Sequence, residues 1–178
     1  MQATSLKEFE SQLARVRDAP RDHGTVELIV RRPAEDEREL LEEARLDPVE
    51  GLVGDRWSPD RDPDTALTLM SARAAALIAG PPTRWALAGD QLYVDLDLSY
   101  VNLPPGTLLS VGDATIEVTA QPHTGCGKFL RRYGIDAQKL VNSQSGRELN
   151  LRGINARVRT GGTVRRGAPI AKLPGDVI

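Results

Sequence analysis

The only cysteine of the chain lies in Gln121-Pro122-His123-Thr124-Gly125-Cys126-Gly127-Lys128-Phe129, close to one of only two histidines. A thiol, an imidazole and an ammonium group so near one another are the ingredients of sulfur transfer, nucleophilic attack or soft-metal ligation. Each of these needs the thiolate, which Lys128, Arg131 and Arg132 would favour. A period-two pattern ends just before this stretch and a helical pattern begins just after it. Cys126 would then stand at the end of a strand beside a helix N-terminus, whose dipole also favours the anion. Pro122, Gly125 and Gly127 would set the path of the loop. The competing reading is a small, inert, buried hydrophobe, the usual state of a lone cysteine in an intracellular protein. A core cysteine has no need of flanking glycines, a histidine and a lysine. A cysteine hydrolase is disfavoured, because His123 is too close in sequence for an aligned pair and no third orienting group is evident.

Other stretches offer polar groups at breaks in the pattern. Gly51-Leu52-Val53-Gly54-Asp55 allows a tight backbone path, with Asp55 free to accept from nearby N–H groups. It reads either as an Asp-stabilised turn or as a loop lining a pocket. Gly89-Asp90-Gln91 is a second such break. Arg73, in the first turn of a short helix, either faces solvent or holds an anion. Ser58 to Asp64 is rich in aspartate and proline, but its spacing matches no calcium loop, and it reads as an exposed loop.

These groups must be positioned by elements that the hydrophobic pattern predicts. Ser5-Leu6-Lys7-Glu8 has the form of a capping box, and Leu6, Phe9, Leu13 and Val16 continue at helical spacing. The predicted helix covers Ser5 to Arg17, packed on the body rather than free. Thr25 to Arg32 is β-branched and apolar and predicts a strand. Glu35 to Leu46, rich in Glu, Leu and Arg, predicts a short helix. Thr65 to Met70 predicts a buried strand, and Ser71 caps a helix over Ala72 to Ala79. Leu92, Val94, Leu96 and Leu98 alternate with Tyr93, Asp95 and Asp97. Leu108 to Val111 and Ala114 to Thr119 flank Gly112-Asp113 as a hairpin. Lys128 to Tyr133 and Asp136 to Asn142 predict short helices, with Ser143 to Gly146 a polar turn. Strands follow at Ile154 to Arg159, near Val164, and at Pro169 to Leu173. Many short strands separated by glycine turns point to a barrel or a folded-over sheet.

The length of 178 residues suits one domain. With 4% aromatic residues, the core must be built from Leu, Val, Ile and Ala. Basic and acidic residues nearly balance, 23 against 25, so nothing argues for a nucleic-acid or membrane partner. One cysteine forms no intrachain disulfide, and neither a signal-peptide core nor a membrane span is visible. The expected location is the cytoplasm.

The order Gly51-Leu-Val-Gly54-Asp55, Gly89-Asp-Gln-Leu92, Leu103-Pro-Pro-Gly106, Val111-Gly112-Asp-Ala114 and Cys126-Gly-Lys128 resembles the MOSC domain, named after the C-terminal domain of molybdenum cofactor sulfurases. Arg152-Gly153, Ala156 to Val158 and Val164 to Gly167 are similar to its closing strands. The likeness runs from about Gly24 to Leu173. It implies a mainly β, α+β fold: a strongly bent mixed barrel with short rim helices. Residues 24–178 would form this single domain, with the amphipathic helix of residues 1–23 packed on it.

The resemblance also implies that Cys126 ligates molybdenum in a pterin cofactor or carries sulfur as a persulfide. Lys128 matches a basic residue often found two after the family cysteine and would meet the cofactor phosphate, with Arg73, Arg131 and Arg152 as further candidates. Asp55, Asp90 and Gln91 would border the cofactor, and His123 would supply a proton or serve as a structural hydrogen-bonder. Pyridoxal phosphate is a further cofactor left open. The implied chemistry is oxygen or sulfur redox, such as reduction of N-hydroxylated compounds. A sulfur donor or small-molecule substrate would be the partner. With no flavin, iron–sulfur or haem motif in the chain, a separate protein would donate electrons. A binding module for a small anion, without turnover, is the non-enzymatic alternative. The chain departs from the family by placing Gly125, where proline is common, before the cysteine. It also has Asp90-Gln91 where Glu-Asn is usual.

Overall fold

Period-two hydrophobicity becomes strand almost wherever the sequence carries it. In the computed structural model, which describes residues 6–175, seven strands close a mixed barrel. They are β1 (His23–Arg31), β5 (Leu67–Ser71), β6 (Leu92–Asp95), β7 (Leu108–Val111), β8 (Ala114–Val118), β9 (Ile154–Thr160) and β11 (Pro169–Lys172). Their order is β1-β11-β7-β8-β9-β5-β6, and β6 returns to β1. All pairings are antiparallel except β5 with β6. That parallel pair is joined by α2 (Ala72–Ala79) and a 3-10 stretch at Pro82–Ala88, as a parallel crossover requires.

The barrel interior is aliphatic, as the scarcity of aromatics demands: Leu67, Leu69, Leu92, Val94, Ile116, Ala156 and Ile170 are all fully buried there. β1 needs a correction in its alternation to join this core. Val26 and Ile29 both face inward although they lie three positions apart, an odd offset that would put them on opposite faces of a regular strand. The β1–β6 register shifts between Val26 and Leu28, and this bulge flips the strand's faces. Leu28 and Val30 then point outward with Met70 and Tyr93 to form a second core.

That second core is covered by α1 (Leu6–Arg17), α2, α3 (Gly127–Tyr133) and α4 (Ile135–Asn142). Leu13 and Val16 of α1 are buried in it. Ser5, the cap expected for this helix, lies outside the described residues, as do the side chains of Leu6 and Phe9. The Ser71 hydroxyl accepts from the Ala74 N–H and caps α2 as expected.

Two expectations fail. Glu35 to Leu46 forms no helix. A turn leads into β2 (Glu39–Leu41) and β3 (Glu43–Asp47). Only Ala44 and Leu46 of β3 are buried, with Arg45 exposed between them and Glu43 exposed before them. This is period two, and pairing with β10 (Gly162–Arg165) and β4 (Gly51–Leu52) secures it. Tertiary pairing thus overrides the helix propensity of Glu, Leu and Arg. Ser143 to Gly146 is not a free turn either. The Ser143 hydroxyl accepts from the Gly146 N–H and caps a short helix, α5 (Gln144–Glu148).

Candidate functional site

Cys126 is the N-cap residue of α3, with extended backbone and no side-chain capping bond. Its thiol is exposed, which rules out the buried-hydrophobe reading. The loop before it is pinned to α4: the Gly125 N–H donates to Asn142 Oδ1 at 3.1 Å. A Cβ at Gly125 would come within 2.9 Å of Val141 Cγ2. Glycine rather than proline precedes the cysteine here because this residue needs both its N–H and its lack of a side chain. Partial burial pushes the thiol pKa up. The backbone N–H groups of Phe129 and Lys128, then the Arg152 guanidinium, outweigh that and hold it below the ordinary thiol value. Positive surroundings therefore act on the thiol, but from the Lys128 backbone rather than its ammonium. Lys128 Nζ is turned to Glu35 at 2.6 Å and Asp36 at 3.6 Å.

The cavity wall continues into a buried hydrogen-bonded chain of three groups, His123, Asp90 and Arg152. Asp90 is fully buried and uses both carboxylate oxygens, one with His123 Nε2 at 2.8 Å and one with Arg152 Nη1 at 2.5 Å. Burial pushes its pKa up, but the Arg152 charge and, at the acid pH where Asp90 titrates, the protonated His123 overcome this and hold the carboxyl well below its usual range. Arg152 also donates from Nη2 to Ala88 O and stacks over the Phe129 ring at 5.1 Å. Its Nε is buried with no partner.

His123 is held below its ordinary pKa by burial first and by the Arg152 charge second, against the pull of Asp90. The imidazole is therefore neutral at pH 7. Because ionised Asp90 can only accept, Nε2 carries the hydrogen and Nδ1 keeps its lone pair. At neutral pH His123 offers a base and a hydrogen-bond acceptor rather than a proton.

Cys126, His123, Lys128 and Arg152 share a cavity of about 150 Å³ with Arg32, Arg38, Arg56 and Arg132. A second cavity of about 210 Å³ shares the His123 wall, and its lining, which includes Tyr100, Asn150 and Asn155, carries no other ionisable group except Tyr100. The glycine-bearing loops converge as the sequence predicts, but their polar side chains face one another. Asp55 accepts from Arg32 and from the Trp57 N–H. Gln91 is fully buried and bonded to Thr68, Asp55 and Ala66. Neither lines the Cys126 cavity.

Arg73 stands elsewhere. It pairs with Asp95 at 2.7 Å and borders a cavity of about 310 Å³ between α1 and α2. Arg131 is exposed and absent from the lining. Sequence reasoning missed Arg32, Arg38 and Arg56. Arg56 could have been found, since it directly follows the Gly54-Asp55 break. Among the described residues no helix is long and apolar enough to cross a membrane.

No family model and no curated protein matches the chain in sequence. Solved structures do match its fold. YiiM from Escherichia coli superposes with a TM-score of 0.57 and 24% identity, over 85% of this chain and 70% of that one. YiiM from Geobacillus stearothermophilus gives 0.56 and 19%, over 86% and 75%. YuaD protein from Bacillus subtilis gives 0.59 and 15%, over 83% and 94%. The fold is the small bent barrel that the MOSC resemblance implies.

Proposed function

We infer that this chain, with the fold of a stand-alone MOSC-type domain, holds a molybdenum pterin through the Cys126 thiolate and takes part in oxygen or sulfur redox chemistry. The single observation that carries this reading is an exposed, pKa-depressed thiol in a basic cavity. The residues present fit such a group. A thiolate is a soft donor suited to a thiophilic metal. The unpartnered Arg152 Nε–H and the surrounding guanidinium groups suit a phosphate-bearing ligand. A cavity of about 150 Å³ takes one end of the cofactor rather than all of it. Among the described residues no three His, Cys, Asp or Glu side chains gather as metal ligands, so Cys126 would supply one ligand and the pterin others.

When bound, the metal would supply two-electron oxygen or sulfur transfer, with N-hydroxylated compounds as the substrate class. The chain's own part is narrower. The N–H groups of Lys128 and Phe129 lower the thiol pKa and so favour the thiolate that ligation needs. Asp90 orients His123 through Nε2, leaving Nδ1 to accept a proton or hold a substrate donor at the wall between the two cavities.

The test is molybdenum and pterin content after expression in a host that makes the cofactor. Stoichiometric metal in the native protein and none in Cys126→Ser is expected. Absence of metal, with an intact mass heavier by one sulfur and reversed by a thiol reductant, would make Cys126 a sulfur carrier instead. Neither metal nor sulfur would leave an anion-binding module.

A further inference from the structure

Six cationic side chains line the Cys126 cavity: Arg32, Arg38, Arg56, Lys128, Arg132 and Arg152. Three are already neutralised. Arg32 is clamped by Asp55, and Lys128 and Arg132 by Glu35 and Asp36. Arg152 shares Asp90 but keeps a buried Nε–H without a partner, although its side chain is only 6% exposed. Arg38 makes one bond, from Nε to Ala86 O, and no ion pair. The Arg56 side chain has no hydrogen bond or ion pair among the described residues, although its charge acts at longer range on Glu35. Of the carboxylates on the lining, only Glu37 is outside the pairs named. Burial and the nearby Arg132 charge both weigh against the Arg38 cation. A buried donor without a partner, as at Arg152 Nε, and a half-buried cation without a carboxylate, as at Arg38, are costly unless an anion joins them, while exposed Arg56 stands at the rim with its donors open to one.

We propose that Arg38, Arg56 and the free Nε–H of Arg152 form an oxyanion subsite beside Cys126, built for a phosphate-class group, and that Lys128 is not part of it. Planar guanidinium forks match phosphate geometry better than a point charge does. The subsite stands whether or not Cys126 holds a metal, so its test needs none. The same chemistry would hold a free anion or the phosphate tail of a larger ligand.

The experiment uses the full chain from a host that cannot make the pterin. Cys126 alkylation by neutral iodoacetamide is timed against rising orthophosphate, with chloride holding ionic strength constant. Saturable protection is expected. Arg56→Gln and Arg38→Gln should each raise the phosphate concentration required about tenfold, the loss of one charge-assisted contact, while Lys128→Gln should change it less than about twofold. Unfolding temperatures of all three variants check that folding is unchanged. Phenyl phosphate protecting at lower concentration than orthophosphate would assign the subsite to a ligand's tail, and equal protection to a free anion. Phosphate acting no better than chloride, or Lys128→Gln losing as much as Arg56→Gln, would overturn the proposal.

Discussion

Two polar clusters lie side by side at one rim of the barrel, and they treat their hydrogen bonds in opposite ways. In the first, Gln91 Oε1 accepts from the Thr68 N–H and hydroxyl, and its Nε2 donates to Asp55 and Ala66. Asp55 in turn accepts from Arg32, and Arg32 donates to Gly89 O. Every group there has an internal partner. In the second cluster, the thiol of Cys126 is exposed, and among the described residues Arg152 Nε is unpartnered and the Arg56 side chain makes no hydrogen bond or ion pair. A satisfied buried network fixes loops, whereas leftover donors beside a nucleophile invite a ligand. The difference marks Asp55 and Gln91 as architectural and leaves the Cys126 cavity as the candidate site.

Asp90 belongs to both roles, so breaking it should have the largest effect. Asp90→Ala leaves Arg152 buried without its counter-charge, and a loss of roughly 3–5 kcal/mol is expected in chemical denaturation. A loss under about 1 kcal/mol would show that the pair is not buried as described. Within the closed cluster, Gln91→Leu keeps the volume but orphans the Thr68 N–H and Ala66 O. It should cost about 1–3 kcal/mol and leave the rate of Cys126 alkylation unaltered. An altered rate would erase the division between the clusters.

Those two substitutions also mark what the sequence could reveal. The strands were legible because alternation survives in a single chain: Leu92, Val94, Leu96 and Leu98 all enter the barrel core as their spacing predicts. The place of Cys126, after a strand and at the start of a helix, and the meeting of the three loops were legible from glycine-bearing breaks beside strand pattern. Glu43 to Asp47 was not, because its two buried residues gain meaning only from β10, far along the chain. The state of each arginine was not legible either. Arg73 is absorbed by Asp95 and Arg32 by Asp55, while Arg56 is left over. Pairing is a property of the folded whole, and no spacing rule separates a neutralised guanidinium from a free one.

The next effect is pH-dependent. His123 is held below its ordinary pKa when folded, so the unfolded chain takes up a proton that the native state refuses. The stability this provides is present above the unfolded value of about 6.5 and is lost as pH falls through the folded one. The unfolding midpoint should decline from about pH 7 towards pH 5, and His123→Gln should flatten that stretch. An equal decline in the variant would place the responsible group elsewhere. The loss from Asp90 and Asp55, whose carboxyls are also depressed, belongs to pH values below about 4.

The smallest effect falls on Lys128. Its ammonium is held by Glu35, and only its backbone N–H acts on the thiol. Lys128→Ala should leave the pH midpoint of Cys126 alkylation nearly unchanged and below the free-thiol value of about 8.5. A rise of about one unit would restore the ammonium as the activating group.

The seam of the barrel carries a consequence for how the molecule is made. Thr25 pairs with Pro169 on one side of β1 and with Asp95 on the other. During synthesis β1 is made about 140 residues before β11, and although β2 soon covers the edge at Ile29 to Arg31, the His23 to Thr25 end stays unpaired until β11 arrives. The apolar cylinder cannot be sealed until β11 is available. Such distant pairing makes refolding slow, and an exposed strand edge is a template for aggregation. Chains interrupted before Pro169 should therefore be recovered as aggregates rather than as smaller folded barrels.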